Sequence, residues 1–144
     1  MSRNESGSGS GSESGSESES GSEFSEALAA VLRDLRARCS VRPEVREDED
    51  GFGVVLYAPD GSGQGVWAEP DGRPGVVTAE VADQVQGWAV EALWAAGEPA
   101  VWPRCPAHPD THPLEAAVER GTAVWRCPRG TATTVPVGEL APTE

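Results

Sequence analysis

The first 22 residues contain almost nothing a folded protein could bury. Ser, Gly and Glu make up nearly all of 1–22, and apart from Met1 no apolar side chain occurs before Phe24. Ordering a chain costs roughly 1–2 kcal/mol per residue in backbone entropy, and such a stretch has no apolar surface to offset it. The sequence therefore assigns 1–22 to a disordered tail that tethers or solubilises. Folding and function fall to the remainder, a single domain of ordinary size with a modest core.

Composition sharpens that division. Hydrophobic residues are 38% of the chain and nearly all follow the tail, as do the five tryptophans Trp67, Trp88, Trp94, Trp102 and Trp125. So many indoles in a small domain imply either a Trp-rich core or an adhesive surface. The net charge is −13, and the tail, with Glu5, Glu13, Glu17, Glu19 and Glu23 against Arg3, accounts for only −4 of it. Nucleic acid and anionic membranes are repelled by such a surface unless a local basic patch intervenes. Lys and Ile are absent and Asn4 is the only asparagine. These residues have A- or T-rich codons, so the pattern points to a high-GC bacterial genome. No basic start followed by an apolar run is visible, and no apolar stretch approaches the roughly 18 residues of a membrane span. The expected location is cytoplasmic, where three cysteines stay reduced; an odd number also cannot close a disulfide framework.

The expected fold class is α+β. Phe24, Leu28, Val31, Leu32 and Leu35 recur at helical spacing and predict an amphipathic helix over 24–39, capped by Ser22 or Ser25, with Arg36 and Arg38 at its negative end. Short strands follow. Residues 41–46 suit a sheet edge because Pro43 lacks a ladder donor. In 51–58, Phe52, Val54, Leu56 and Ala58 alternate with Val55 and Tyr57. A glycine-rich turn over 60–65 leads into a strand over 66–69. Then Pro70-Asp71-Gly72 turns the chain toward a short strand-like run at Val76 and Val77. A second helix is predicted over 79–96, capped by Thr78 and stopped by Gly97, with Val81, Val85, Trp88 and Ala92 as its apolar stripe and Leu93 and Trp94 widening it. The order is α-β-β-β-α on a small antiparallel sheet, occupying 23–98. Residues 99–140 read as a ribbon-like β segment docked on that core, and 141–144 as a C-terminal tail.

That ribbon carries the chemical lead. Cys105 and His108 form a C-x2-H pair, a spacing at which one tight turn presents two ligands to a single ion; His112 follows, and Cys127 completes a Cys2His2 set. If 114–119 and 122–127 are hairpin strands joined by Arg120-Gly121, Glu119 faces Thr122 and Cys127 faces Leu114. His112 is then a diagonal neighbour of Cys127, roughly 7–8 Å away between backbones and within joint reach of one ion. Trp102 and Trp125 are expected to pack around the set and exclude water. The same Cys-Pro and His-Pro dipeptides also suit ordinary turns, with both cysteines as small buried residues.

Over about 30 residues this arrangement resembles zinc-ribbon modules, with Cys105-Pro-x-His108 as a first knuckle and Cys127-Pro as half of a second. It departs from the ribbon pattern in having no ligand two residues beyond Cys127, so His112 must substitute. Trp-x2-Cys-Pro-x-His-Pro and Trp-x-Cys-Pro also look like motifs of a group of small uncharacterised actinobacterial proteins, which implies a lineage and no function. The resemblance implies a structural zinc ion held by Cys105, His108, His112 and Cys127.

A catalytic metal lacks its partners: neither H-E-x-x-H nor H-x-E with P-C-x-x-C occurs. Gly61, Gly63 and Gly65 form a string, but a strand rather than a helix follows, which suits a hairpin turn and not a phosphate loop. The acidic run at 47–50 has Pro59 where a calcium loop starting at Asp48 needs glutamate, so it reads as a solvated turn. Cys39 has no histidine left to activate it and reads as a buried or idle thiol. Arg104, Arg120, Arg126 and Arg129 surround the cluster as rim charges. The expected function is a non-enzymatic, zinc-stabilised adaptor that meets another protein through the ribbon or an exposed tryptophan patch. The alternatives are a nucleic-acid accessory protein using the ribbon and a metal-dependent hydrolase.

Overall fold

Apolar residues at helical spacing build the frame. The computed structural model describes residues 12–47, 53–68, 73–108, 111–130 and 134–140, with side chains described from Glu23 onward. Helix α1 runs Ser12–Arg38 and buries Leu28, Val31, Leu32 and Leu35, with Arg36 and Arg38 in its last turn. Its start differs from the expected one. The helical backbone begins at Ser12, ahead of the predicted residue 24, and Ser22 and Ser25 lie within it instead of capping it. Extending a helix that packing has already nucleated needs no second nucleus, so weak helix formers can continue it. Residues 1–11 and 141–144, expected as tails, lie outside the described residues.

Helix α2 runs Pro74–Ala95, starting five residues ahead of the predicted 79. Val76 and Val77, read as a strand-like run, belong to its first turn. Pro74 explains the shift, since its fixed φ and missing N–H suit the opening of a helix. Thr78 consequently does not cap; its hydroxyl donates back to the Pro74 carbonyl at 2.9 Å. The C-terminal stop is as predicted. Gly97 takes φ 75°, its N–H donates to the Trp94 carbonyl, and the Glu98 N–H donates to the Leu93 carbonyl, which makes a Schellman motif. Val81, Val85, Trp88, Ala92 and Leu93 face inward, but Trp94 does not widen the stripe: it is 78% exposed.

Strands β1 (Glu44–Glu47), β2 (Gly53–Tyr57) and β3 (Gly63–Trp67) form an antiparallel sheet in that order, with β1 at the edge. Val54 and Leu56 face the core and Val55 and Tyr57 the other side, as the alternation requires. Phe52, the remainder of the acidic run at 48–50, and the turn at Pro70-Asp71-Gly72 lie outside the described residues. The hairpin turn is tighter than expected. Asp60 accepts from the Ser62 N–H at 2.9 Å and from its hydroxyl at 2.6 Å, so Gly63 and Gly65 already belong to β3. Gly63 is required there, because a Cβ would lie 2.8 Å from the Tyr57 ring.

A second antiparallel sheet has the order β4 (Glu115–Glu119), β5 (Thr122–Arg126) and β6 (Thr134–Pro136). Glu119 faces Thr122 and Glu115 faces Arg126, the predicted register. Arg120 at φ 54° and Gly121 at φ 79° make the two-residue turn, both positive as a type I′ hairpin demands. β6, a short run at Val135, was not expected. Together the chain is α+β: one helix, a three-stranded sheet, a second helix, and a second small sheet. Buried residues of both helices and both sheets join in one apolar cluster, so the second sheet shares its core with the first. No described helix is long and apolar enough to cross a membrane.

Candidate metal centre

The knuckle is a loop closed by its own backbone. Arg104 and Pro113 form an isolated antiparallel bridge, and the Leu114 N–H donates to the Pro103 carbonyl at 2.8 Å. Between these arms the His108 N–H donates to the Cys105 carbonyl at 3.0 Å and the Thr111 N–H to the His108 carbonyl at 3.1 Å. Successive tight turns therefore aim Cys105, His108 and His112 at one point. Cys127 arrives from the end of β5, where the Gly130 N–H closes a matching turn on the Cys127 carbonyl at 3.2 Å.

All four predicted residues meet. His108 Nδ1 lies 3.6 Å from the Cys105 sulfur, 3.6 Å from the Cys127 sulfur and 3.1 Å from His112 Nε2, and His112 Nε2 lies 3.8 Å from the Cys127 sulfur. Every ligand atom is within 4.8 Å of the others. Both cysteines are buried and both histidines half-buried, so the donors converge at the core boundary. The set could hold a metal ion, and among the described residues it is the only group of three or more histidine, cysteine or carboxylate side chains so placed.

One histidine tautomer follows from the surroundings. His112 Nδ1 sits 2.9 Å from the Pro113 carbonyl, which can only accept. That nitrogen carries the proton, and the Nε2 lone pair is turned toward the sulfurs and His108. A carbonyl holding the far nitrogen of a ligand imidazole is the usual outer support of a metal site.

The two indoles expected near the site are core residues that pack on each other. Trp102 and Trp125 are almost wholly buried and meet edge to face, with ring centroids 5.3 Å apart. Two supports were not anticipated. Gln86 of α2 donates to the Trp102 carbonyl at 3.1 Å and to the Leu114 carbonyl at 2.7 Å, tying together the two arms of the knuckle. Asp34 of α1 is fully buried; its carboxylate accepts from Trp125 Nε1 at 2.9 Å, from the Gly138 N–H at 2.6 Å and from the Leu140 N–H at 3.0 Å. The sequence did hold a signal for Asp34. It shares a helix face with Ala27 and Val31, at i, i+4 and i+7, where a carboxylate must find donors. Gln86 carried none, since its role depends on carbonyls far along the chain.

Cys39 is buried at the end of α1, and burial pushes its thiol above the ordinary 9.0; a backbone hydrogen bond at Val41 and the charge of Arg42 pull the other way. The arginines of the second sheet are exposed, and Arg126 pairs with Glu115 at 3.0 Å and Glu119 at 3.4 Å. Compared with protein-family profiles, curated proteins and solved structures, the chain matches none.

Proposed function

We propose that Cys105, His108, His112 and Cys127 hold one zinc ion in a closed structural site, and that the protein is a non-enzymatic adaptor for another protein. The distances among the donors carry this reading. Tetrahedral zinc bonds sulfur at about 2.3 Å and nitrogen at about 2.0–2.1 Å, which separates sulfur from nitrogen by about 3.6 Å and two nitrogens by about 3.3 Å. Four of the six separations here are 3.6, 3.6 and 3.8 Å for sulfur to nitrogen and 3.1 Å between nitrogens, and the remaining two are within 4.8 Å. Two thiolates with two imidazoles favour zinc over the oxygen-seeking cations. Four protein donors fill the tetrahedron, so a substrate or water has no position on the ion, which weighs against a hydrolase.

Such a metal acts on the fold. It would join the knuckle to the end of β5 and hold the second sheet on the shared core, leaving surface for a partner. The twofold Cys-Pro knuckle pattern keeps its likeness to zinc ribbons, the tryptophan motifs keep their likeness to small actinobacterial proteins, and the codon bias remains the reading of a high-GC bacterial genome. Among the exposed apolar residues, Trp67 at 54% and Trp94 at 78% are the largest available to a partner. A nucleic-acid role has less support, because Arg126 is already paired with carboxylates on its own sheet.

Metal content of protein purified without chelator tests the reading, on wild type and Cys105→Ser in parallel. One zinc per chain, with a cobalt-substituted spectrum of a closed tetrahedral thiolate site, is the expected result. A folded wild-type chain without metal would overturn it.

A further inference from the structure

Four of the chain's eleven arginines line one cleft. Arg36 and Arg38 come from the last turn of α1, Arg42 from the segment entering β1, and Arg104 from the knuckle; together they line a cleft of about 750 Å³. Among the described residues Glu98 is the only carboxylate on its lining. Leu93, Val101, Pro99 and Pro106 supply an apolar wall, and the metal ligand Cys105 lies beside Arg104 on the same surface.

On a chain of net charge −13, a local excess of positive charge needs a cause. The helix dipole explains arginines in the last turn of α1. It does not explain Arg42 and Arg104, which arrive from separate segments. Two arginines elsewhere sit against carboxylates, Arg46 with Glu44 and Arg126 with Glu115 and Glu119. Among the described residues no ion pair engages Arg36 or Arg104. Arg42 spends one N–H on a long 3.4 Å bond to the Arg36 carbonyl, which holds the two side by side. A recess lined mostly by one sign of charge focuses its field, and guanidinium forks match carboxylate oxygens two at a time.

We propose that this cleft docks an acidic segment of a partner polypeptide, its carboxylates gripped by Arg36, Arg42 and Arg104 and its apolar side chains laid on Leu93 and Val101. This rests on the adaptor reading and names the chemistry of the partner. A polypeptide fits better than nucleic acid for a reason of charge. A nucleic acid carries its phosphates continuously, about one per 1.7 Å of duplex, and beyond the cleft it would meet an acidic surface. A short acidic segment can end where the arginines end. Because Arg104 precedes a metal ligand, the cleft is complete only when the knuckle is folded.

The test is fluorescence anisotropy with a fluorescein-labelled Glu-Leu-Glu-Leu-Glu-Glu peptide on the full chain loaded with zinc. Saturable binding at low salt, weakening as salt rises, is expected. The double variant Arg36→Glu with Arg104→Glu should lose about tenfold or more in affinity, with zinc content and circular dichroism unchanged. Arg126→Glu, on the other sheet, should change affinity by less than about twofold. Absent binding by zinc-loaded wild type, undiminished binding by the double variant, or tighter binding of an oligothymidylate than of the peptide would each overturn the proposal. Zinc content is measured on the same sample, so a failed cleft with one zinc per chain leaves the metal reading standing.

Discussion

Asp34→Asn is the perturbation with the most to reveal. The native carboxylate has two oxygens and no donor; Oδ2 accepts from Trp125 Nε1 and the Gly138 N–H, and Oδ1 from the Leu140 N–H. An amide keeps one oxygen. Its better orientation places that oxygen toward Trp125 and Gly138 and turns the NH2 onto the Leu140 N–H, donor against donor. One bond to a charged acceptor is lost, worth about 1.5–3 kcal/mol, and two others fall from charge-assisted to neutral strength, about 0.5–1 kcal/mol each. Relief of burying a charge offsets part of this. The net expectation is a loss of about 3 kcal/mol, a large fraction of a domain's usual 5–15 kcal/mol. Urea unfolding followed by tryptophan fluorescence reads it as a lower midpoint at unchanged slope. Zinc content should match wild type, because no ligand is touched, and the Leu140 amide should exchange its hydrogen faster. A change below about 0.5 kcal/mol would refute the reasoning, since the bonds would then merely balance the desolvation of the carboxylate.

Three further outcomes are expected. Gln86→Leu removes both bonds between the knuckle arms and should lower stability by about 1–3 kcal/mol. It should also weaken zinc binding by about tenfold in competition with a chromophoric chelator; unchanged affinity would show that the arms hold without it. Gly75→Ala would drive a methyl group into the Gly121 carbonyl, where the first turn of α2 meets the hairpin turn. A loss of about 1–3 kcal/mol in thermal unfolding is expected. Cys39 carries a pH signature: burial raises the folded thiol above 9.0, so its contribution is full below the unfolded value and fades as pH rises through the folded one. Native Cys39 should therefore resist iodoacetamide at pH 8, and Cys39→Ala should flatten the alkaline fall in stability.

Much of the local structure could be read from residue order. Helix α1's apolar stripe, the edge position of β1, the alternation in β2 and the Schellman stop at Gly97 all depend on neighbours a few positions apart. So does the hairpin at Arg120-Gly121, whose two positive φ angles follow from turn chemistry. Two errors were local as well: Pro74, two residues ahead, opens a helix over Val76 and Val77, and Trp94, two residues past Ala92, lies beyond the edge of the stripe.

Spacing within one turn made Cys105 and His108 a pair, and hairpin register alone put Cys127 near His112. Those relations are covalent or ladder geometry, which a sequence carries directly. The carbonyls that Gln86 ties, the donors that Asp34 satisfies and the arginine cleft are of another kind. Each joins segments tens of residues apart, brought together when α1, α2 and both sheets bury one shared core. Burial is roughly proportional to area and indifferent to which apolar residues supply it, so no local pattern specifies those meetings. They were decided by packing.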